Sequence, residues 1–173
     1  MDTVNKGNTG SKRVGKEQYY LDIADATMKR STCLRRSYGA IIVKDDEIVS
    51  TGYNGAPRER RNCTDIGFCA REHLNVPHGE RYELCRSVHA EANAIISASR
   101  RDMMGATMYL VGREVSTGEL VTDTTPCHMC RRLIINAGVV QIVSLAGDGK
   151  IAVTHVRDWI FIDDSIPVIE ELT

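Results

Sequence analysis

The sequence predicts an α/β sandwich, with one mixed sheet held between layers of helix. Three observations predict it. Two short apolar runs flank a polar turn at 44–47 and read as a β-hairpin that opens the sheet. After the hairpin, apolar strands alternate with helical patterns. The 173 residues, 42% hydrophobic, suffice for one domain with a real core.

The elements follow in order. Lys16 to Ser31 reads as an amphipathic helix, with Tyr20, Ile23, Ala24 and Thr27 at helical spacing. "YGAIIVKDDEIVSTGYNG" is the hairpin, closed by a turn at Asn54–Gly55. Residues 56–87 lack periodicity and hold three cysteines and two histidines. A loop that long inside a domain needs something other than a core to order it. Val88 to Arg101 is Ala-rich, ends in basic residues and reads as one helix. "ATMYLVG" is a buried strand, and 113–125 is a polar excursion around Gly118. Pro126 suits a helix start, with the helix running to Asn136 and Gly138 closing it. "VVQIVSLA" is a further buried strand, "THVRDWIF" a short helix and "IPVIEEL" a weak last strand. The polar stretch 1–15 is expected to be a flexible tail ahead of a single domain at 16–173.

Charge and hydropathy exclude several functions. The formal net charge is −1, so no global field favours nucleic acid or an anionic membrane. No apolar run approaches the length of a membrane span. The N-terminal stretch lacks the apolar core of a signal peptide, so a cytoplasmic location is expected. Thiols are kept reduced there, which favours metal binding or catalysis over disulfides for the six cysteines.

"TTPCHMC" places Cys127 and Cys130 three residues apart after a proline. CxxC alone fits half a zinc knuckle, a redox pair or two core thiols. At i and i+3 both thiols share one helix face, and a helix N-terminus favours thiolate. His89, at the start of another helix, is the third ligand candidate. One imidazole and two thiolates hold zinc and leave a fourth position for water, as a catalytic site needs. Glu91 follows His89 by two residues. It is placed to move protons rather than to ligate. H-x-E followed by P-C-x-x-C is the known signature of zinc deaminases.

These residues carry a family resemblance. "HAEANAI" with "PCHMC" resembles the zinc-dependent cytidine and deoxycytidylate deaminase superfamily. "STCLRRSYGAIIV", "STGYNGAP" and "LCRSVHAEANAI" resemble its deoxycytidylate (dCMP) deaminase branch, and the likeness spans 16–145. It implies a three-layer α/β/α sandwich and hydrolysis of dCMP to dUMP and ammonia. It further implies a small-molecule nucleotide substrate, not nucleic acid, and a homo-oligomer. By the same resemblance Asn54 contacts the sugar, backbone at Ala90 and Thr125 holds the pyrimidine edge, and Arg36 with Ser37 lies toward the phosphate. Two features depart from the branch: the 113–125 excursion and the basic "RERR" after "GYNGAP". Arg58, Arg60 and Arg61 read either as a phosphate grip or as a solvated basic loop.

Cys33, Cys63, Cys69 and Cys85 remain. A second, structural zinc held by these four would order the 56–87 loop and tie it to the helix of His89. Some dCMP deaminases resemble this in carrying a second metal. The other reading is buried packing thiols. His73 or His78 is able to replace one thiol. His128 and His155 read as surface residues, and Trp159 as a core anchor. Two other functions stay open: a superfamily deaminase for another amino-heterocycle, and a zinc-ordered binding module without turnover. Glu91 discriminates, because a purely structural site has no use for it.

Overall fold

The computed structural model describes residues 13–77 and 79–162. Helix α1 (Lys16–Met28) leads into strands β1 (Arg36–Lys44) and β2 (Glu47–Tyr53). Short helices α2 (Cys63–Ile66) and α3 (Ala70–His73) and a 3₁₀ turn at Tyr82–Leu84 follow. Then come α4 (Ala90–Ile96), α5 (Arg100–Met103), β3 (Thr107–Glu114), α6 (His128–Ala137), β4 (Gln141–Leu145), β5 (Ile151–His155) and α7 (Val156–Phe161).

The strand order is β2-β1-β3-β4-β5. Only the β3–β4 pair is parallel, and α6 lies on the crossover between them. The sheet is therefore mixed. Strand periodicity divides β1 between two faces. Ile41 and Val43 pack with Tyr20, Leu21 and Ala24 of α1 on one side. Ala40 and Ile42 pack with Ala90 and Ala94 of α4 and Ile134 of α6 on the other. Each large side chain buried this way contributes about 1.5–3 kcal/mol. The result is the expected order of helix, sheet and helix.

Gly52 sets the distance between α4 and the sheet. A Cβ there would lie 2.3 Å from the Ala90 carbonyl oxygen and 2.4 Å from the Ala94 nitrogen. The helix backbone occupies the space a side chain would need. Ser50 donates to the Ala94 carbonyl (2.8 Å) and Asn93 to that of Tyr53 (2.7 Å), fixing the helix along β2.

The expected helix at Val88–Arg101 is two helices with a later start. Val88 is held extended by a bridge to Gly55, so the helix cannot begin before His89. At the far end Ser97 donates to the Asn93 carbonyl (2.8 Å) and Ser99 caps α5, so the serines break the run. α1 ends at Met28 rather than Ser31. The 113–125 excursion does double back: Arg113 bridges Leu120, and Gly118 takes a positive φ of 73° at the turn. β5 went unforeseen, and the helix expected at "THVRDWIF" begins only at Val156. Ile151 and Val153 of β5 are exposed, so no alternation marks the strand. The strand expected at "IPVIEEL", the tail at 1–12 and His78 lie outside the described residues.

Candidate active site

Two helix starts meet to form the site. His89 is the N-cap of α4, and Cys127 is the N-cap of α6 with Cys130 in its first turn. The Nδ1 of His89 lies 3.5 Å from the Sγ of Cys127 and 3.5 Å from that of Cys130. On a tetrahedral zinc, ordinary Zn–N and Zn–S lengths put nitrogen and sulfur about 3.6 Å apart. The trio therefore fits one zinc. Among the described residues it is the one group of three or more His, Cys, Asp or Glu whose ligand atoms all lie within 4.8 Å of one another.

Without metal the trio divides its protons. Burial opposes charge on His89, but hydrogen bonds to Cys127 and Cys85 and the Glu91 charge hold its pKa up at about 10. The hydrogen bond from Cys130 holds the Cys127 thiol down at about 4, with His89 helping against burial. Cys130 is pushed up by its bond to Cys127, by burial and by the Glu91 charge.

Glu91 sits in the first turn of α4 and is 5% exposed. Burial raises its pKa, and the His89 charge opposes that rise. A carboxyl so placed holds a proton more readily than a surface glutamate, as a group that shuttles protons requires. Ala90 is fully buried and lines the same cavity.

Asn54 is buried and already bonded. Its Oδ1 accepts from the Tyr38 backbone N–H (2.8 Å) and the Ser31 hydroxyl (2.7 Å), and its Nδ2 donates to the Arg36 carbonyl (2.8 Å). The backbone N–H fixes which end is oxygen. One Nδ2 hydrogen is left over, and Asn54 lines the cavity. Thr125 and Arg36 line the cavity too, and Arg36 pairs with Glu114 (2.7 Å). Ser37 does not line it. It sits between Arg36 and Tyr38 on β1, and alternation turns it to the other face.

Four lining residues were missed: Tyr38, Arg71, Tyr82 and Ser87. Tyr38 is two positions past Arg36 on the same strand face, a signal the period of two carries. Its ring lies over Gly112 of β3, where a Cβ would come within 2.3 Å of it. Burial pushes its pKa up to about 12, against the pull of Arg36. Arg71 and Tyr82 come from the 56–87 loop, where no local pattern announces them. The arginines of "RERR" take the other reading: Arg58, Arg60 and Arg61 are exposed, and none lines this cavity.

The remaining thiols gather on one side. Cys33, Cys69 and Cys85 line the cavity wall, and the buried Cys63 thiol feels all three. They do not meet the 4.8 Å spacing of the catalytic trio. His73 is exposed and lies against Phe68. His128 and His155 are exposed, and Trp159 packs against the core with the Arg131 guanidinium 5.2 Å over its ring.

Residues 14–146 match the family profile described as "Cytidine and deoxycytidylate deaminase zinc-binding region". The chain belongs to this family. It is 39% identical over 132 residues to the deoxycytidylate deaminase of Mycobacterium phage D29, covering 73% of this chain and 91% of that protein. The deoxycytidylate deaminase of Schizosaccharomyces pombe is 32% identical over 127 residues, but this chain covers only 36% of its length. Among solved structures, the apo dCMP deaminase of cyanophage S-TIM5 superposes with a TM-score of 0.52 at 25% identity, over 75% of this chain and 82% of that one. The matched region is described as zinc-binding, and within it His89, Cys127 and Cys130 are the candidate metal ligands.

Proposed function

We propose that this chain hydrolyses dCMP to dUMP and ammonia. The observation that carries the proposal is a buried carboxyl, Glu91, beside a zinc-fitting trio in a cavity walled by arginines. Relatives named deoxycytidylate deaminase support the substrate. Zinc, when bound by the trio, supplies a Lewis acid that makes water nucleophilic at neutral pH.

The chain's own residues do the rest. Glu91 accepts a proton from the attacking water and delivers it to ring N3. Water oxygen bonds to C4, and the amino group leaves with a further proton passed by Glu91. Atoms balance as dCMP plus water giving dUMP plus ammonia. The Asn54 network holds the start of β1 and leaves one N–H for the sugar. Backbone at Ala90 and Thr125 is positioned to orient the ring. A binding module without turnover would have no use for a carboxyl buried at Glu91.

Three further readings belong to the proposal. Cys33, Cys63, Cys69 and Cys85 take up a second, structural zinc by drawing together around Cys63. The enzyme works in the cytoplasm, and no helix of the described residues is long and apolar enough to cross a membrane. It works as a homo-oligomer. Ammonia release from a panel of cytosine, cytidine, deoxycytidine, dCMP, dCTP and adenine compounds tests the substrate. dCMP is expected to lead the panel, and preference for any non-nucleotide would overturn the reading.

A further inference from the structure

Arg71 is a buried charge that no carboxylate among the described residues pairs with, though the Cys85 thiol nearby feels it. It is 4% exposed and lies in the wall of the catalytic cavity. Its Nη2 donates to the carbonyls of Pro77 (2.7 Å) and Glu80 (2.6 Å). Its guanidinium carbon sits 4.6 Å from the centre of the Tyr82 ring. Its Nε is buried and has no partner among the described residues. Arginine does not give up its proton, so the charge stays. Buried charges are ordinarily paired, and two carbonyls and a ring face compensate this one only in part.

The other cavity arginines differ. Arg35 pairs with Glu72 (3.0 Å) and Arg36 with Glu114 (2.7 Å). Their charges are already balanced from the rim. Arg71 also stands at a useful distance from the chemistry. The Tyr82 ring it touches is itself 5.0 Å from the His89 ring, at 88°. One aromatic ring thus separates guanidinium from metal ligand, comparable to the sugar that separates a pyrimidine from its 5′-phosphate. Arg71, Arg36 and Arg35 all act on the Tyr82 hydroxyl, so positive charge converges at this end of the cavity.

We infer that Arg71 is the anion contact of the substrate cavity and binds the phosphate monoester of the nucleotide through its unpartnered edge. The inference rests on the dCMP reading and deepens it. Carbonyls 77 and 80 and the Tyr82 ring hold the guanidinium in place before substrate arrives, so little ordering is left for binding to cost. The contact makes the 56–87 loop the part of the chain that tells a nucleotide from a nucleoside.

The test compares zinc-loaded wild type, Arg71→Gln and Arg71→Lys. The readouts are turnover of dCMP and deoxycytidine, and thermal protection by dUMP, deoxyuridine and inorganic phosphate. In Arg71→Gln the dCMP preference, as a ratio of kcat/KM values, is expected to fall roughly ten- to hundred-fold, the worth of a charged hydrogen bond. The extra protection by dUMP over deoxyuridine should vanish with it. Arg71→Lys keeps a charge but not the fork, so its ratio should fall less; it carries the test if the Gln variant does not fold. Equal losses on both substrates, or an unchanged ratio, would show a structural pin and overturn the assignment. If wild type fails to deaminate dCMP, the proposed substrate falls separately. Phosphate protection then decides: lost in the variants, the anion site stands; equal in all three, it does not.

Discussion

The two walls of the cavity are built in different ways. One wall is the pair of helix starts, where His89 caps α4 and Cys127 caps α6 over a fully packed sheet. The other is the 56–87 loop, held by short helices and two arginine-bonded carbonyls. Chemistry sits on the rigid wall, and the proposed substrate discrimination sits on the loop. The contrast teaches that reaction and recognition are stabilised separately here. Substitutions should split accordingly.

The largest effect belongs to the rigid wall. Glu91→Gln should retain the zinc, because Glu91 is not among the three ligands, while turnover falls by about 10²–10⁴ or more. Metal analysis beside an ammonia assay checks it. Zinc loss, or near-normal turnover, would erase the distinction between ligands and proton shuttle.

Next in size is the pH dependence of zinc binding. Metal binding needs the ligands deprotonated. The metal-free Cys127 has already lost its proton above about 4, whereas His89 keeps its own up to about 10 and Cys130 is raised as well. Between those limits zinc displaces about two protons, so affinity should rise with pH by roughly 100-fold per unit. Competition with a chelator at about pH 6, 7 and 8 measures the slope. A flat profile would mean that the trio is already stripped of protons.

The rigid wall was the legible one. "HAEANAI" and "PCHMC" put His89, Glu91, Cys127 and Cys130 at helix starts by local spacing, and the two apolar runs around 44–47 marked the hairpin. The failures share a cause. Arg71 and Tyr82 reach the cavity through loop folding between residues far apart in the chain, which no periodicity records. Val88 is pulled out of its helix by Gly55, thirty-three residues earlier, and β5 hides because it is exposed at an edge.

Gly52→Ala sharpens the comparison by striking the rigid wall from behind. The added methyl meets helix backbone at 2.3 Å and 2.4 Å, and neither atom is the end of a flexible side chain. α4 must shift, carrying His89 and Glu91 with it. Overpacking of this kind costs about 1–3 kcal/mol. Both thermal stability and dCMP turnover should drop. Gly67→Ala, at φ 85° in open space, should cost only about 1 kcal/mol through backbone strain and leave the ligands in place.

Cys69→Ser probes the loop wall. If the four thiols hold a structural zinc, metal content should fall from two ions toward one per chain. The melting temperature should drop by several degrees, and activity should decline without loss of a catalytic ligand. One zinc per wild-type chain, in protein never exposed to chelator, would leave the cysteines as packing residues.

The smallest effect should come from the exposed stretch of the loop. Arg58 and Arg60 are solvent-facing, and neither lines the catalytic cavity, though Arg60 borders a groove beside Cys63 and Phe68. Arg61 is turned along its own chain, donating to the Asp65 carbonyl (3.0 Å) while its carbonyl accepts from Arg86 (2.7 Å). Charges in this position reach the substrate only through water and salt, which screen them within about 8 Å at physiological ionic strength. The double variant Arg58→Ala/Arg60→Ala should therefore change kcat/KM for dCMP by less than about two-fold at that salt, and somewhat more as salt is lowered. A ten-fold loss would move the phosphate grip back to the basic loop and away from Arg71. Measured beside Arg71→Gln on the same substrates, the double variant separates buried charge from solvated charge within one loop.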